Sequence, residues 1–178
     1  METNTPETVH LNNSKLFKID NFLTEACCDF LLDVIAESSC NFIDRSVTSV
    51  NIGLDGSHGR YDSMLLCVET FPGVWEKFFS NRSINGIPLD SVMVNRYYSG
   101  DFIPKHRDKQ GSIFTVCVPL QTSQDSLIFI DDDEQQTVCK DIKGTGYGFF
   151  GNKPIHYVPP VQQSVRYSLV CLYGPNTY

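Results

Sequence analysis

The sequence lacks the features that mark several classes of protein. No apolar run approaches the roughly 18 residues that span a bilayer. Residues 1–13 have neither a basic start nor an apolar core, as a secretory signal would. Basic residues are scarce, with 14 Lys and Arg against 21 Asp and Glu, and the net charge is −7. This balance disfavours a nucleic-acid partner, which needs a basic face. We therefore expect a protein of the cytoplasm or nucleus, not secreted and without a membrane partner.

The seven cysteines form no recognisable disulfide or zinc pattern. Their number is odd, and no Cys-x-x-Cys pair occurs. Cys117, Cys139 and Cys171 lie inside apolar runs, where cysteine behaves as a small buried hydrophobe. Reduced thiols in an intracellular compartment are the expectation.

The length of 178 residues predicts a single domain, at residues 14–178, behind a flexible polar tail at residues 1–13. Residues 14–90 are predicted to supply helices and strands that support the core. The first helix begins after Thr24, a good N-cap, and ends near Ser38. The other elements predicted in this part are strands at 16–19, 42–53 and 60–67 and a helix at 73–81.

From residue 91 the sequence changes to short β-rich runs separated by Gly, Pro, Asp and Asn. Eight such runs predict a sandwich or barrel. Together with the two helices they indicate a mainly β protein of the α+β class. The runs lie at 91–98, 102–108, 113–121, 126–131, 137–142, 147–150, 155–158 and 165–173.

A candidate metal site follows from the histidines. His106 and Asp108 are two residues apart, so on an extended strand both point to one face. His156 lies in a later strand-like run, and its alternative role is that of a hydrogen-bonded core histidine. Two histidines and one carboxylate are the ligands of a facial-triad iron(II) site, which leaves coordination positions open.

A candidate anion site follows from Arg166, which interrupts an otherwise apolar strand. A buried arginine is costly unless it is paired, so it requires a carboxylate. That carboxylate could belong to a ligand or to one of the chain's own acidic residues. Ser168, two residues further on, shares its face and can donate a hydroxyl to the same anion. The Arg-x-Ser pattern favours a site that binds the carboxylate of a ligand.

The combined pattern over residues 91–174 resembles the 2-oxoglutarate- and iron(II)-dependent dioxygenases. Their fold is a double-stranded β-helix, a barrel of the jelly-roll or cupin type. The resemblance implies that His106, Asp108 and His156 bind Fe(II). It also implies that Arg166 and Ser168 bind the distal carboxylate of 2-oxoglutarate. Ascorbate is a further candidate cofactor.

Two branches of this family share features with the sequence. The ten-residue interval from His156 to Arg166 and the short N-terminal strand are similar to the prolyl-hydroxylase-like branch. Asn95-Arg96-Tyr97 resembles the AlkB-type dealkylases, which implies that Asn95 and Tyr97 contact 2-oxoglutarate. The sequence departs from the AlkB type at Leu172, where that branch has a second arginine.

The resemblance implies hydroxylation of an unactivated C–H bond by O2, coupled to conversion of 2-oxoglutarate to succinate. Asp108 favours hydroxylation or demethylation, because related halogenases have a small residue in its place. A protein or peptide side chain such as proline is the first substrate hypothesis. An N-methyl group on nucleic acid or protein, a small molecule, and a non-catalytic β-barrel binding module are the alternatives.

Overall fold

The computed structural model describes residues 16–46, 52–108, 113–150 and 154–174. The predicted tail at residues 1–13 lies outside them. The helices are α1 (Glu25–Glu37) and α2 (Pro72–Phe78). The strands are β1 (Leu16–Ile19), β2 (Ile43–Asp44), β3 (Asp62–Leu66), β4 (Ser83–Ile84), β5 (Ile87–Tyr98), β6 (Ile103–His106), β7 (Phe114–Pro119), β8 (Ser126–Ile130), β9 (Gln136–Lys140), β10 (Gly146–Phe150), β11 (Ile155–Val158) and β12 (Val165–Tyr173).

Helix α1 begins where the sequence predicts. The Thr24 hydroxyl accepts a hydrogen bond from the backbone N–H of Cys27 at 3.2 Å, which satisfies one of the free amides of the first turn. Cys28, Leu31 and Ile35 recur at helical spacing, and all three are buried. Helix α2 ends three residues before the predicted end at 81. Asn81 has φ +61°, a left-handed conformation that cannot continue a helix.

The described strands form two antiparallel sheets. The large sheet has the order β1-β10-β7-β12-β5-β3-β2, with β4 paired to β5, and the small sheet has the order β6-β11-β8-β9. All eight predicted runs of the core form strands. The predicted fold class, mainly β with N-terminal helices and a double-stranded β-helix, is confirmed.

The two faces of the large sheet bury different sets of residues, because side chains alternate along each strand. Along β12, Leu169 and Cys171 face α1 and pack with Val94 and Val116 in one core. Residues of the opposite parity, including Arg166 and Ser168, face the small sheet. There a second core forms between the sheets, with Tyr97, Ile103, Leu127, Phe129, Tyr147, Phe149 and Val158 among its members. The space between the sheets thus combines apolar walls with a few buried polar groups.

A hairpin between β4 and β5 is absent from the sequence-based prediction. Asn85 and Gly86 have φ values of +51° and +77°, as the central residues of a type I′ turn do. The turn extends β5 back to Ile87, whereas the predicted run begins at 91. The Asn-Gly pair was the available signal, since it is the strongest short hairpin motif.

Two further predictions concern membranes and cysteines. Over the described ranges, no helix is both long and apolar enough to cross a membrane. Cys27, Cys28, Cys67, Cys117, Cys139 and Cys171 are free thiols.

Gly144 is required where the start of α1 meets the β9–β10 connection. Its N–H donates to the Pro119 carbonyl, and its carbonyl accepts from the Leu23 N–H at 3.0 Å. Its φ is +76°, and a Cβ there would collide with the Leu23 carbonyl oxygen. Gly86 has nearly the same φ, +77°, but open space around its Cβ position.

We expect Gly144→Ala to destabilise the protein more than Gly86→Ala does. Both variants incur the left-handed backbone cost of about 1–2 kcal/mol. Gly144→Ala adds a steric cost of about 1–3 kcal/mol, since backbone must move. Chemical denaturation of both variants measures the difference. Equal free energies of unfolding would contradict the close approach of Leu23 to Gly144.

Candidate metal and anion site

His106, Asp108 and His156 come together at the rim of the small sheet. His106 and His156 are directly paired residues of β6 and β11. Asp108 lies two residues beyond the end of β6. The prediction that it shares a strand with His106 is therefore wrong. Asp108 Oδ1 is 3.5 Å from Nε2 of His106 and 3.4 Å from Nε2 of His156. The three ligand atoms lie within 4.8 Å of one another, a spacing that one metal ion can bridge.

The backbone orients both histidine rings. Nδ1 of His106 is 2.9 Å from the carbonyl oxygen of Pro104, and Nδ1 of His156 is 3.3 Å from that of Pro154. A carbonyl oxygen only accepts, so each Nδ1 carries the proton. Nε2 is then the atom of each ring that faces Asp108. It donates to the carboxylate when the ring is protonated, and it offers a lone pair to a metal ion when the ring is neutral. A fixed partner on the second nitrogen is the usual way in which a metal-binding histidine is oriented.

The site favours the ionised form of Asp108. Burial acts to raise the pKa of this carboxyl group, but the charge of His156 and hydrogen bonds from His106 and His156 hold it below its ordinary value. Both histidines are buried, and the His156 ring packs against the tilted rings of Phe129 and Phe149, with centroids 5.5 and 5.0 Å away. An ionised carboxylate and two free imidazole nitrogens in apolar surroundings are a donor set suited to a divalent metal ion.

The candidate anion-binding residues lie on the inner face of the large sheet. Strands β5 and β12 pair so that Arg166 is opposite Tyr97, and Ser168 is opposite Asn95. All four side chains thus share one face, as two successive cross-strand pairs. The Arg166 guanidinium lies 5.0 Å from the Tyr97 ring centroid, and the Tyr97 hydroxyl accepts from Asn95 Nδ2 at 3.3 Å. The structure brings these four predicted residues together.

Arg166 has a carboxylate partner within the chain. Its Nε donates to Asp141 Oδ2 at 2.6 Å, and its Nη2 donates to Asp141 Oδ1 at 2.9 Å. The two residues are 2% and 1% exposed. Burial acts to lower the pKa of Arg166, but the hydrogen bonds and charge of Asp141 raise it above its ordinary value. Asp141 is therefore part of the site, although the sequence-based prediction did not include it.

One nitrogen of the Arg166 guanidinium, Nη1, is not used by Asp141. Nη1 is buried and makes no hydrogen bond to any residue that the structure describes. A buried donor without an acceptor costs free energy, which an incoming carboxylate would recover. The arginine is thus both paired within the chain and equipped to bind a further anion.

Cys117 is influenced electrostatically by both the metal-type cluster and Arg166. Burial raises the pKa of its thiol strongly; Asp108 raises it further, and Arg166 lowers it. The thiol therefore lies within electrostatic range of both the metal-type cluster and the arginine. It faces the inside of the barrel from β7, and nothing in the sequence beyond strand parity indicates this position.

We expect the protein to bind one divalent ion through His106, Asp108 and His156. Cobalt(II) at 100 times its dissociation constant would stabilise the fold by about 2.7 kcal/mol, because only the folded state assembles the three ligands. His106→Ala should abolish this shift in thermal denaturation. His58→Ala is the control, since His58 is exposed and outside the cluster. Equal cobalt shifts in wild type and His106→Ala would contradict the ligand assignment.

Comparisons with known proteins define the fold. No family model and no curated protein matches the sequence.

Solved structures do match. A Pseudomonas putida prolyl-4-hydroxylase has a TM-score of 0.67 at 13% identity, over 91% of this chain and 94% of that one. A Trichoplax adhaerens prolyl hydroxylase in complex with a peptide fragment of the hypoxia inducible factor oxygen degradation domain has 0.67 at 18%, over 93% and 86%. A non-heme alpha ketoglutarate dependent epimerase from nogalamycin biosynthesis has 0.66 at 12%, over 91% and 78%. The chain therefore has the fold of the prolyl hydroxylases and other 2-oxoglutarate- and iron(II)-dependent oxygenases, as the resemblance in its sequence predicts.

Proposed function

We propose that the protein is an Fe(II)- and 2-oxoglutarate-dependent dioxygenase that hydroxylates an unactivated C–H bond. The observation that carries the proposal is the coexistence of two complementary groups in one barrel. One is the cluster of the buried His106 and His156 with the half-buried Asp108. The other is the buried Nη1 of Arg166, which has no hydrogen-bond partner among the described residues. The first fits a metal ion, and the second fits the distal carboxylate of a dicarboxylic co-substrate.

Each group of residues has a definite role in this proposal. Bound Fe(II) and 2-oxoglutarate supply the oxidising chemistry with O2. His106, Asp108 and His156 would hold the metal, and three protein ligands would leave coordination positions for other ligands. Arg166, assisted by Ser168, Tyr97 and Asn95, orients the co-substrate from the facing sheet. Phe129 and Phe149 exclude water around His156, which protects a reactive centre from side reactions.

A polypeptide side chain such as proline is the substrate class that we favour. The hairpin at residues 52–58 is joined to β6 through the hydrogen bond from Leu54 N–H to Lys105 O. It exposes Ile52 and Leu54 beside the strand that carries His106. Exposed apolar side chains at this position suit a peptide better than a polyanion. The peptide complex of the Trichoplax adhaerens neighbour supports the same class.

Oxidative demethylation of nucleic acid or protein is the second candidate. Lys105 and Arg107 are exposed on either side of His106 in the sequence, and both carry positive charge near the cluster. The contact between Asn95 and Tyr97 supports the co-substrate role that the AlkB-type motif implies. The net charge of −7 weighs against a polyanionic substrate.

The enzyme proposal predicts a visible signal before any substrate is known. Anaerobic addition of Fe(II) and 2-oxoglutarate should produce a metal-to-ligand charge-transfer band, because the co-substrate binds the metal directly. The band should be absent in His106→Ala and retained in His58→Ala. Folded wild-type protein that binds the metal without producing the band would exclude the dioxygenase and favour a binding module.

The substrate class is tested by succinate release. With O2, Fe(II) and ascorbate, we expect proline-containing peptides to raise succinate release above the uncoupled rate and to gain 16 Da in mass spectrometry. Methylated oligonucleotides should leave the rate unchanged. If only the oligonucleotides stimulated succinate release, and formaldehyde were released with it, oxidative demethylation would replace polypeptide hydroxylation as the favoured function.

A further inference from the structure

Asp141 occupies one edge of the Arg166 guanidinium completely. A guanidinium offers five N–H donors in a rigid fork, and the Nε–Nη2 edge is the geometry that best fits a carboxylate. Here that edge is bound to Asp141 with both oxygens. An incoming carboxylate therefore meets the Nη1 end of the group, to which no residue in the described part of the chain is hydrogen-bonded. The position of Asp141 therefore determines where Nη1 of Arg166 lies.

The loop before β8 holds Asp141 in turn. Ser123 Oγ donates to Asp141 Oδ2 at 3.1 Å. The Asp141 N–H donates to the Asp125 carbonyl at 3.0 Å, and the Ser123 N–H donates to the Asp141 carbonyl at 3.1 Å. Both the side chain and the backbone of Asp141 are thus fixed. This network orients a carboxylate toward β12 without any contribution from a ligand.

Rotation of the guanidinium is restricted from two directions. Asp141 fixes its edge, and the guanidinium carbon lies over the Tyr97 ring, 5.0 Å from the ring centroid. A ligand that binds to Nη1 then encounters a donor that is already in place, so it loses little conformational entropy of the protein. Without Asp141 the arginine could turn the same edge toward the ligand or away from the barrel.

We propose that Asp141 is a positioning residue that orients Arg166 and so sets the preference for a co-substrate with a distal carboxylate. The inference rests on the proposed function, since it concerns the 2-oxoglutarate site. Asp141 does not touch the co-substrate itself. It acts through the guanidinium, and it also offsets the charge that Arg166 would otherwise carry uncompensated in a buried position.

Charge and orientation predict opposite effects of removing Asp141. Asp141→Asn makes the pocket more positive, which by itself would strengthen binding of 2-oxoglutarate. It also replaces one acceptor oxygen by an NH2 group that faces an arginine donor, which disrupts the bidentate pair. If orientation dominates, the preference for the dicarboxylate falls. The sign of the change therefore decides between the two effects.

The experiment measures binding of two ligands to the Mn(II)-loaded protein by calorimetry, independently of turnover. 2-Oxoglutarate and 2-oxobutyrate share the oxo-acid end, but only the first has a distal carboxylate. We expect Asp141→Asn to reduce the affinity ratio of the two ligands by about tenfold or more, as loss of a charge-assisted hydrogen bond does. Asp62→Asn is the matched control. It removes an aspartate paired with Nε and Nη2 of Arg96 at the β3–β5 pair, away from the barrel interior, and should leave the ratio unchanged.

A second readout requires neither metal nor co-substrate. The Nε–H of Arg166 should give a slowly exchanging NMR signal in the wild type, because it is buried and hydrogen-bonded. The signal should be lost or shifted in Asp141→Asn. If that variant does not fold, Ser123→Ala leaves Asp141 itself in place. It removes the hydroxyl that donates to Asp141 and accepts from the Asp125 N–H, and it should lower the affinity ratio by a smaller factor, about twofold to fivefold.

The possible failures are distinct. Wild-type protein that does not bind 2-oxoglutarate in preference to 2-oxobutyrate would contradict the proposed co-substrate and, with it, the role of Asp141. A different result is a wild type that prefers 2-oxoglutarate while Asp141→Asn shows an unchanged or larger affinity ratio. That result would overturn the positioning role of Asp141 and leave the proposed co-substrate standing. Loss of thermal stability without a change in the ratio would assign Asp141 a purely structural role.

Discussion

The buried ion pair between Arg166 and Asp141 is the constraint on which the interior of the barrel depends. Arg166 belongs to β12 in the large sheet, and Asp141 follows β9 in the small sheet, so the pair joins the two layers. Neither residue could be buried alone, because an isolated charge in an apolar interior is very costly. The relative position of the sheets is therefore fixed at one end by hydrogen bonds with strict geometry. Dispersion contacts among the aromatic residues between the sheets tolerate more variation than this pair does.

Both candidate sites are built from antiparallel pairing. Direct partners across a ladder have side chains on one face, and this rule alone brings His106 to His156 and Arg166 to Tyr97. The metal-type cluster lies on one sheet and the anion-binding group on the other. A molecule that reaches both would span the barrel. This division explains how residues that are 60 positions apart in the sequence, His106 and Arg166, can serve one ligand.

Much of the fold and of the site could be predicted from the sequence, because the relevant signals are local. Alternating β-rich runs, turn residues and the Thr24 cap act within a few residues, and the Arg-x-Ser spacing follows from strand parity. Asp108 lies beyond the end of β6, so parity does not account for its position. The role of Asp141 could not be predicted in this way. Its partner is 25 residues away, and their contact depends on how the loop before β8 positions the backbone. All 21 Asp and Glu residues were candidates for the arginine, and no spacing rule distinguishes among them.

The orientation of the two histidines has a consequence for how freely such a sequence can change. Each ring is fixed by a main-chain carbonyl two residues earlier, at Pro104 and Pro154. Every amino acid supplies that carbonyl, so no particular neighbouring side chain must be kept for the rings to face the same point. Evolutionary drift can then replace most of the surrounding residues while the cluster keeps its shape.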